Sequence, residues 1–283
     1  MSDHGAPDAA GNVLWDEVAP ALWREHGDRV DVMDGPAGAA MLQAARLRSG
    51  DRVLDVGCGA GATTVEAARQ VGPTGSVVGV DISRPMLKFA AERVAAAGLT
   101  NIELVAADAQ VHRFGDSEFD AVISRFATMF FADPAAAFAN LARSLRPGGR
   151  LAIVVPRAPQ DDPWTATALA AAAPYLGAAD VDALNEFGAY VFADGAQLDR
   201  VLAGAGFGAV HREALTLPIQ LGSDIDDVIG YLLAQPEVQA LMADTPADQV
   251  SGAVEALRSA FAPYAGPDGV VMETSCWLVT ALR

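Results

Sequence analysis

The chain has 283 residues, 52% hydrophobic and 19% charged, so it belongs with globular proteins and has length enough for a large core. Thirty-six acidic residues against 19 basic ones give a formal net charge of −17. Such a surface repels phosphate backbones and anionic lipid, which argues against nucleic acid and membrane as partners, and it does not identify a substrate.

Residues 1–11 are small, polar and acidic, without the basic start and apolar centre of a signal peptide. No apolar run reaches the ~20 residues of a membrane span. A frayed start and a cytoplasmic setting are expected. Cys58 and Cys276 are too few for a disulfide framework, and neither has metal-ligand spacing.

Residues 13–47 read as helices carrying Trp15 and Trp23. From 53 to 155 short apolar, branched runs at 53–56, 77–80, 102–106, 121–124 and 151–155 alternate with helical segments. The runs lack polar alternation and suit strands covered on both faces. The first helix follows over 63–71. The second, 83–97, has Ser83 as N-cap, Pro85 in its first turn and Gly98 past its end. Asp133 and Pro134 open a third, which the Pro147-Gly148-Gly149 turn stops. This rhythm predicts right-handed βαβ crossovers and a parallel sheet, with ligands at the carboxyl ends of its strands. Beyond 156, helices are expected at 165–175 and 196–205, and a strand at 209–221, antiparallel to the rest. Two or three helices interrupted by Pro236 and Pro246 follow over 224–262, then a last strand at 270–282.

The strongest motif is Val53-Leu54-Asp55-Val56-Gly57-Cys58-Gly59-Ala60-Gly61, a buried strand entering three alternating glycines. Glycines there allow positive φ and let a ligand approach the backbone. No Gly-Lys-Ser/Thr follows, which excludes a Walker phosphate loop, and Ala62 occupies the third-glycine place of a dinucleotide fingerprint. Asp55 is awkward beside a pyrophosphate and suits a cationic amine or sulfonium. Asp81 ends the second strand twenty residues past Gly61, where a carboxylate can accept both hydroxyls of a ribose. Asp108 follows the third strand, 27 residues after Asp81, as Asp81 is 26 after Asp55. A carboxylate there can accept from an adenine amine. Helix capping and solvated loops are the alternative uses of these acids.

Together with Arg146-Pro147-Gly148-Gly149, these motifs resemble the class I S-adenosylmethionine-dependent methyltransferases. More narrowly, Asp81-Ile82-Ser83-Arg84-Pro85-Met86-Leu87 and residues 119–134 are similar to the ubiquinone/menaquinone C-methyltransferase group, which includes natural-product tailoring enzymes. The likeness covers about residues 45–156. It implies an α/β, Rossmann-like, doubly wound sheet of seven mostly parallel strands with an antiparallel last strand. An N-terminal helical lid over 1–47 and a methyltransferase domain over 48–283 with a helical insertion at about 222–264 complete the expected layout.

By the same resemblance, S-adenosylmethionine is the cofactor. Gly57, Gly59 and Gly61 approach its methionine part and Asp55 supports the amine end. Asp81 takes the ribose hydroxyls, Ile82 and Met86 flank the adenine, and Asp108 reaches its amine with Ala109 alongside. Ser124 and Arg125 stand by the methionine and the substrate mouth, where Arg125 pairs with a ligand carboxylate or with Asp55. No metal is expected, and a homodimer is left open.

Methyl transfer from a sulfonium is an in-line displacement that gains from alignment and water exclusion more than from a strong catalytic group. The lid candidates are the N-terminal helices and the 224–262 segment. For a general base, His26, His112 and His211 each stand isolated in the sequence, so no catalytic residue is named. Trp15, Trp23, Phe130, Phe131, Trp164, Tyr190 and Tyr231 line an aromatic-friendly pocket or simply pack. The acceptor is expected to be a small hydrophobic or aromatic metabolite, methylated at oxygen or carbon. The rival readings are a cyclisation or other non-transfer reaction on the same cofactor site, an NAD(P)-dependent oxidoreductase, and a non-enzymatic binding protein.

Overall fold

A computed structural model describes residues 14–176, 188–243 and 245–283. The opening of the expected N-terminal lid, 1–13, lies outside the described residues.

Five parallel strands form the frame: β1 (Arg52–Val56), β2 (Ser76–Asp81), β3 (Ile102–Ala106), β4 (Phe119–Arg125) and β5 (Leu145–Pro156). β6 (Gly208–Gly222), the two-residue β7 (Ala265–Gly266) and β8 (Gly269–Leu282) complete the sheet. Its order is β3-β2-β1-β4-β5-β8-β6, with β7 paired to β8. The order reverses between β1 and β4, so the ends of β1, β2 and β4 face one crevice. This is the doubly wound, mostly parallel architecture expected from the sequence, with the last strand antiparallel.

The direction of β6 corrects one expectation. β8 runs antiparallel to both β5 and β6, so β6 is parallel to β1–β5. A strand reached through a sheet-covering helix returns in the same sense. Only β8, entering between β5 and β6, reverses. A second correction concerns Arg146–Gly149, expected as a turn ahead of its strand. These residues lie inside β5, where the pairing to β4 slips between Phe119 and Ala121. The C-terminus holds this bulge: Gly148 N–H donates to the Arg283 carbonyl and Arg283 N–H to the Gly149 carbonyl.

Helices cover both faces. α1 (Ala19–Ala45), α2 (Ala62–Val71) and α3 (Arg84–Ala97) lie on one, with Met41, Leu42, Ala67 and Val71 packed on Val53, Val77, Ile123 and Val154. The sequence suggested several helices before β1; instead one 27-residue helix runs through Pro36, its Ala37, Met41, Leu42 and Ala45 stripe buried on the sheet. α4 (Pro134–Ser144) and α6 (Gly195–Gly204) cover the other face, where Phe138, Leu141 and Leu198 are fully buried against Leu54, Val122 and Ile153. α5 (Pro163–Leu176) lies between them in the chain and packs on α9 (Ala247–Phe261).

β6 and β8 form a long antiparallel ladder whose far end carries α7 (Ile225–Ala234), α8 (Pro236–Ala243) and α9. The apolar faces of α7 and α9 meet the two strands in a separate cluster of Ile219, Leu221, Ile229, Leu257, Phe261 and Met272, which also receives Met33 of α1 and Trp164 of α5. Side chains cap the helices, Ser83 and Asp133 as the sequence suggests and Asp194 and Asp224 in addition. Met86 N–H donates to Ser83, Ala136 N–H to Asp133, Ala196 N–H to Asp194 and Asp227 N–H to Asp224.

Candidate active site

The site is assembled at the end of β1. Gly57 N–H and Cys58 N–H both donate to the Val80 carbonyl, at 2.8 and 3.0 Å, locking the turn onto β2. At Gly57, φ is +65° and a Cβ would stand 2.1 Å from the Ala127 Cβ, so the turn passes β4's exit with no room for a side chain. At Gly59, φ is +52° and a Cβ would meet only Met86 Cε, at 3.8 Å. Its backbone is left open to a ligand.

Asp81 joins this turn to the next one. Oδ2 accepts from Gly59 N–H and Oδ1 from Ser83 N–H, each at 2.8 Å. Burial raises the Asp81 carboxyl above its ordinary value of 3.8, and these two hydrogen bonds oppose that rise. Ser83 Oγ donates in turn to the Trp15 carbonyl at 2.5 Å, which ties the N-terminal segment across the end of β2. Beyond β3, Asp108 Oδ1 accepts from Gln110 N–H at 2.8 Å. Asn140 of α4 holds the loop from below by donating to the Ala109 and His112 carbonyls.

These turns enclose a cavity of about 550 Å³. Of the sequence-predicted residues, Gly57, Gly59, Asp81, Ile82, Met86, Asp108 and Ala109 line it together. Trp15, Phe130 and Phe131, named from sequence only as aromatic candidates, also line it, the Trp15 and Phe130 rings meeting edge to face at 4.8 Å. Sequence reasoning missed Phe126 and Ala127, which form another wall. The signal available was their place just past a strand end. Phe126 sits at φ +52°, a conformation that costs a bulky residue energy and is held by its N–H bond to the Val154 carbonyl.

The other predicted residues stand behind this surface. Asp55 is fully buried under the turn, where Oδ2 accepts from Thr63 and Thr64 hydroxyls at 2.7 and 2.6 Å and Oδ1 has no partner. Burial raises its carboxyl, while the threonines and the nearby Arg125 charge pull it back. Gly61 lets α2 meet α3, since a Cβ there would be 3.1 Å from Ala90 Cβ. Ser124 is buried and donates to the Val56 carbonyl at 2.8 Å, pinning β4 to β1. Arg125 points to the α1 face and lines a separate groove of about 540 Å³ between α1, α2 and α3. It lies near Asp55 and Asp34 and forms an ion pair with neither.

Trp23 and Trp164 are elsewhere: Arg93 stacks on the first, and the second joins the insertion core. Tyr190 and Tyr231 also lie outside the cavity wall. Among the described residues, no group of three or more His, Cys, Asp or Glu is placed to hold a metal, and no helix is long and apolar enough to cross a membrane.

Residues 53–149, which contain this turn and all three acidic strand ends, match the family described as a methyltransferase domain. The chain carries a methyltransferase domain. It is similar to aklanonic acid methyltransferase DauC from a Streptomyces species, with 37% identity over 121 residues, 43% of this chain and 55% of that protein. It is also similar to the ubiquinone/menaquinone biosynthesis C-methyltransferase UbiE from Pseudomonas putida, with 41% identity over 114 residues, 40% of this chain and 44% of that one. The chain spans about half the length of the curated relatives it matches. Phosphoethanolamine N-methyltransferase 2 from Haemonchus contortus, solved with S-adenosyl-L-methionine, superimposes with a TM-score of 0.56 at 20% identity, covering 92% of this chain and 60% of that one. At that identity the likeness concerns the fold.

Proposed function

We propose that this protein transfers a methyl group from S-adenosylmethionine to a small hydrophobic or aromatic metabolite, at carbon or oxygen. The observation that carries this reading is the cavity at the ends of β1–β4. It offers open backbone at Gly59 beside Gly57, carboxylates at Asp81 and Asp108, and apolar walls from Met86, Phe126 and Phe130. A sulfonium nucleoside needs those three kinds of surface.

The residues present fit that cofactor. Asp108 has one oxygen committed to Gln110 and a second left to accept an amine. Asp81, already fixed by two backbone donors, presents a rigid acceptor to a ribose. Ile82 and Met86 flank the plane between these acids, with Ala109 leaving room beside them. Gly61, Ser124 and Asp55 act from behind, shaping the turn and supplying negative charge beneath it. Arg125 lines the separate groove between α1, α2 and α3 and not the cavity wall.

When bound, the cofactor supplies an electrophilic methyl on a cationic sulfur. The protein's part is to hold the acceptor in line and exclude water. Trp15 and Ala19 wall the cavity on the N-terminal side, which supports the start of the N-terminal segment as the lid. Buried, unbridged Cys58 and Cys276 suit a reducing cytoplasm. Incubation with S-adenosylmethionine and a panel of phenols, quinols and enols tests the reading. Formation of S-adenosylhomocysteine with a product one methyl heavier supports it; altered product without an added methyl contradicts it.

A further inference from the structure

Arg125 ends β4 and turns away from the cavity into the groove of about 540 Å³ between α1, α2 and α3. Gly38 of α1 makes room for it: a Cβ there would stand 3.3 Å from Arg125 Cδ and 3.5 Å from Nη1. Arg125 is half-buried, and among the described residues its guanidinium has no hydrogen bond, ion pair or aromatic ring as partner.

That isolation sets it apart. Every other half-buried arginine among the described residues pairs with an acid, as Arg29 does with Asp227, Arg93 with Asp31 and Arg150 with Asp51. The acids that feel the Arg125 charge, Asp34 and Asp55, lie beyond ion-pair distance, and burial raises both carboxyls toward their neutral forms. A partly desolvated cation without a counter-charge is costly and calls for an anion.

The groove's other charges cancel. Arg93 meets Asp31 Oδ2 at 2.5 Å and stacks on Trp23, and Arg69 meets Glu66 at 3.6 Å. Arg125 is left as a single surplus positive charge, in a chain whose formal net charge is −17. The first turn of α2 adds to it: Ala62 and Thr63 lie in the same wall, and the N-cap Gly61 offers their N–H groups no side-chain acceptor. The remaining wall is apolar, with Ala39 and Leu42 from α1, Val65 from α2, and Ala96 and Ala97 from α3.

One surplus charge suits a monoanion and disfavours a phosphate dianion, which Asp31 and Glu66 would repel. We propose that this groove binds a small amphiphilic carboxylate, its head held by the Arg125 guanidinium and its apolar body lying along α1 and α3. The fork of guanidinium donors matches the two carboxylate oxygens. The site is separate from the cavity at the glycine turn and does not depend on the methyl-transfer reading. The two adjoin through the backbone, since Phe126, next in the chain, walls the cavity.

Hexanoate is the probe, titrated into the full chain at constant ionic strength while the backbone amide resonances are followed. Hexanamide and inorganic phosphate are the controls. Hexanoate should saturate one site and shift the signals of Ala39, Thr63 and Arg125, and both controls should bind at least about tenfold more weakly. Two variants, checked for folding by circular dichroism, probe the head and the body separately. Arg125→Gln should weaken hexanoate about tenfold or more. Ala39→Leu keeps the cation and a good helix former while filling the wall, and should block binding. Hexanoate should still bind in excess S-adenosylhomocysteine, as a separate site requires. No saturable binding, shifts confined to the cavity, equal binding of hexanamide or phosphate, unimpaired affinity in either folded variant, or displacement of hexanoate by S-adenosylhomocysteine would each overturn the proposal.

Discussion

The Asp81 carboxylate accepts the Gly59 backbone N–H at 2.8 Å, so the acid ending β2 is also the brace of the glycine turn after β1. One residue thereby sets the distance between two walls of the cavity. With its other oxygen on Ser83 N–H, it also orients the start of α3. Ligand affinity and local order are coupled through this side chain, and each can be measured separately.

Gly57→Ala is expected to be severe. The new Cβ would stand 2.1 Å from Ala127 Cβ at a φ of +65°. Overpacking of this kind costs about 1–3 kcal/mol. The double variant Gly57→Ala/Ala127→Gly removes the clash and keeps the backbone strain, so thermal melts should show partial recovery. A double variant no more stable than the single one contradicts the contact.

Ser83→Ala removes a helix cap and the tie to Trp15 together. The lost cap costs about 1 kcal/mol. The lost tie should raise amide exchange over residues 14–18 beyond what that global loss explains. Equal changes throughout the chain would mean that the segment is held by packing alone.

The buried carboxyls give a pH dependence with a definite sign. Burial raises Asp81 and Asp55 above 3.8, so the folded state binds their protons more tightly than the unfolded chain does. Their contribution to stability is fully present below that value and is lost as pH rises through the raised one. The ionised carboxylates are the forms that attract a sulfonium and accept ribose hydroxyls. S-adenosylmethionine affinity is therefore expected to increase as pH rises above about 4, and to do so less steeply in Asp81→Asn. A flat profile in the wild type contradicts the assignment.

Much of the fold was legible because glycine, proline and acidic caps punctuate it locally. Ser83, Gly98 and Asp133 mark helix ends by chemistry that acts over three or four residues, and the structure uses each as a cap. Direction and register are different, since they depend on partners far along the chain. Nothing local to β6 shows that β8 will insert between it and β5, and nothing local to Arg146–Gly149 shows that Arg283 will hold it as a bulge.

The cavity divides in the same way. Gly57, Gly59, Asp81 and Asp108 were readable because backbone openness and charge at strand ends are properties of residue type. Ser124 and Arg125 occupy the expected strand end but face opposite sides of the sheet, one bonded to the Val56 carbonyl and the other turned toward α1. Phe126, the next residue, takes the cavity wall through a positive φ that no propensity suggests.

The central claim is that the turn at Gly57–Gly59 and the acids at Asp81 and Asp108 form one pocket for S-adenosylmethionine. Titration calorimetry of the wild-type chain and Asp81→Ala tests it most directly. The wild type should bind one equivalent saturably, and the folded variant should bind about 1–3 kcal/mol more weakly, the scale of a lost charged hydrogen bond. No binding by the wild type, or equal affinity in the folded variant, would contradict it.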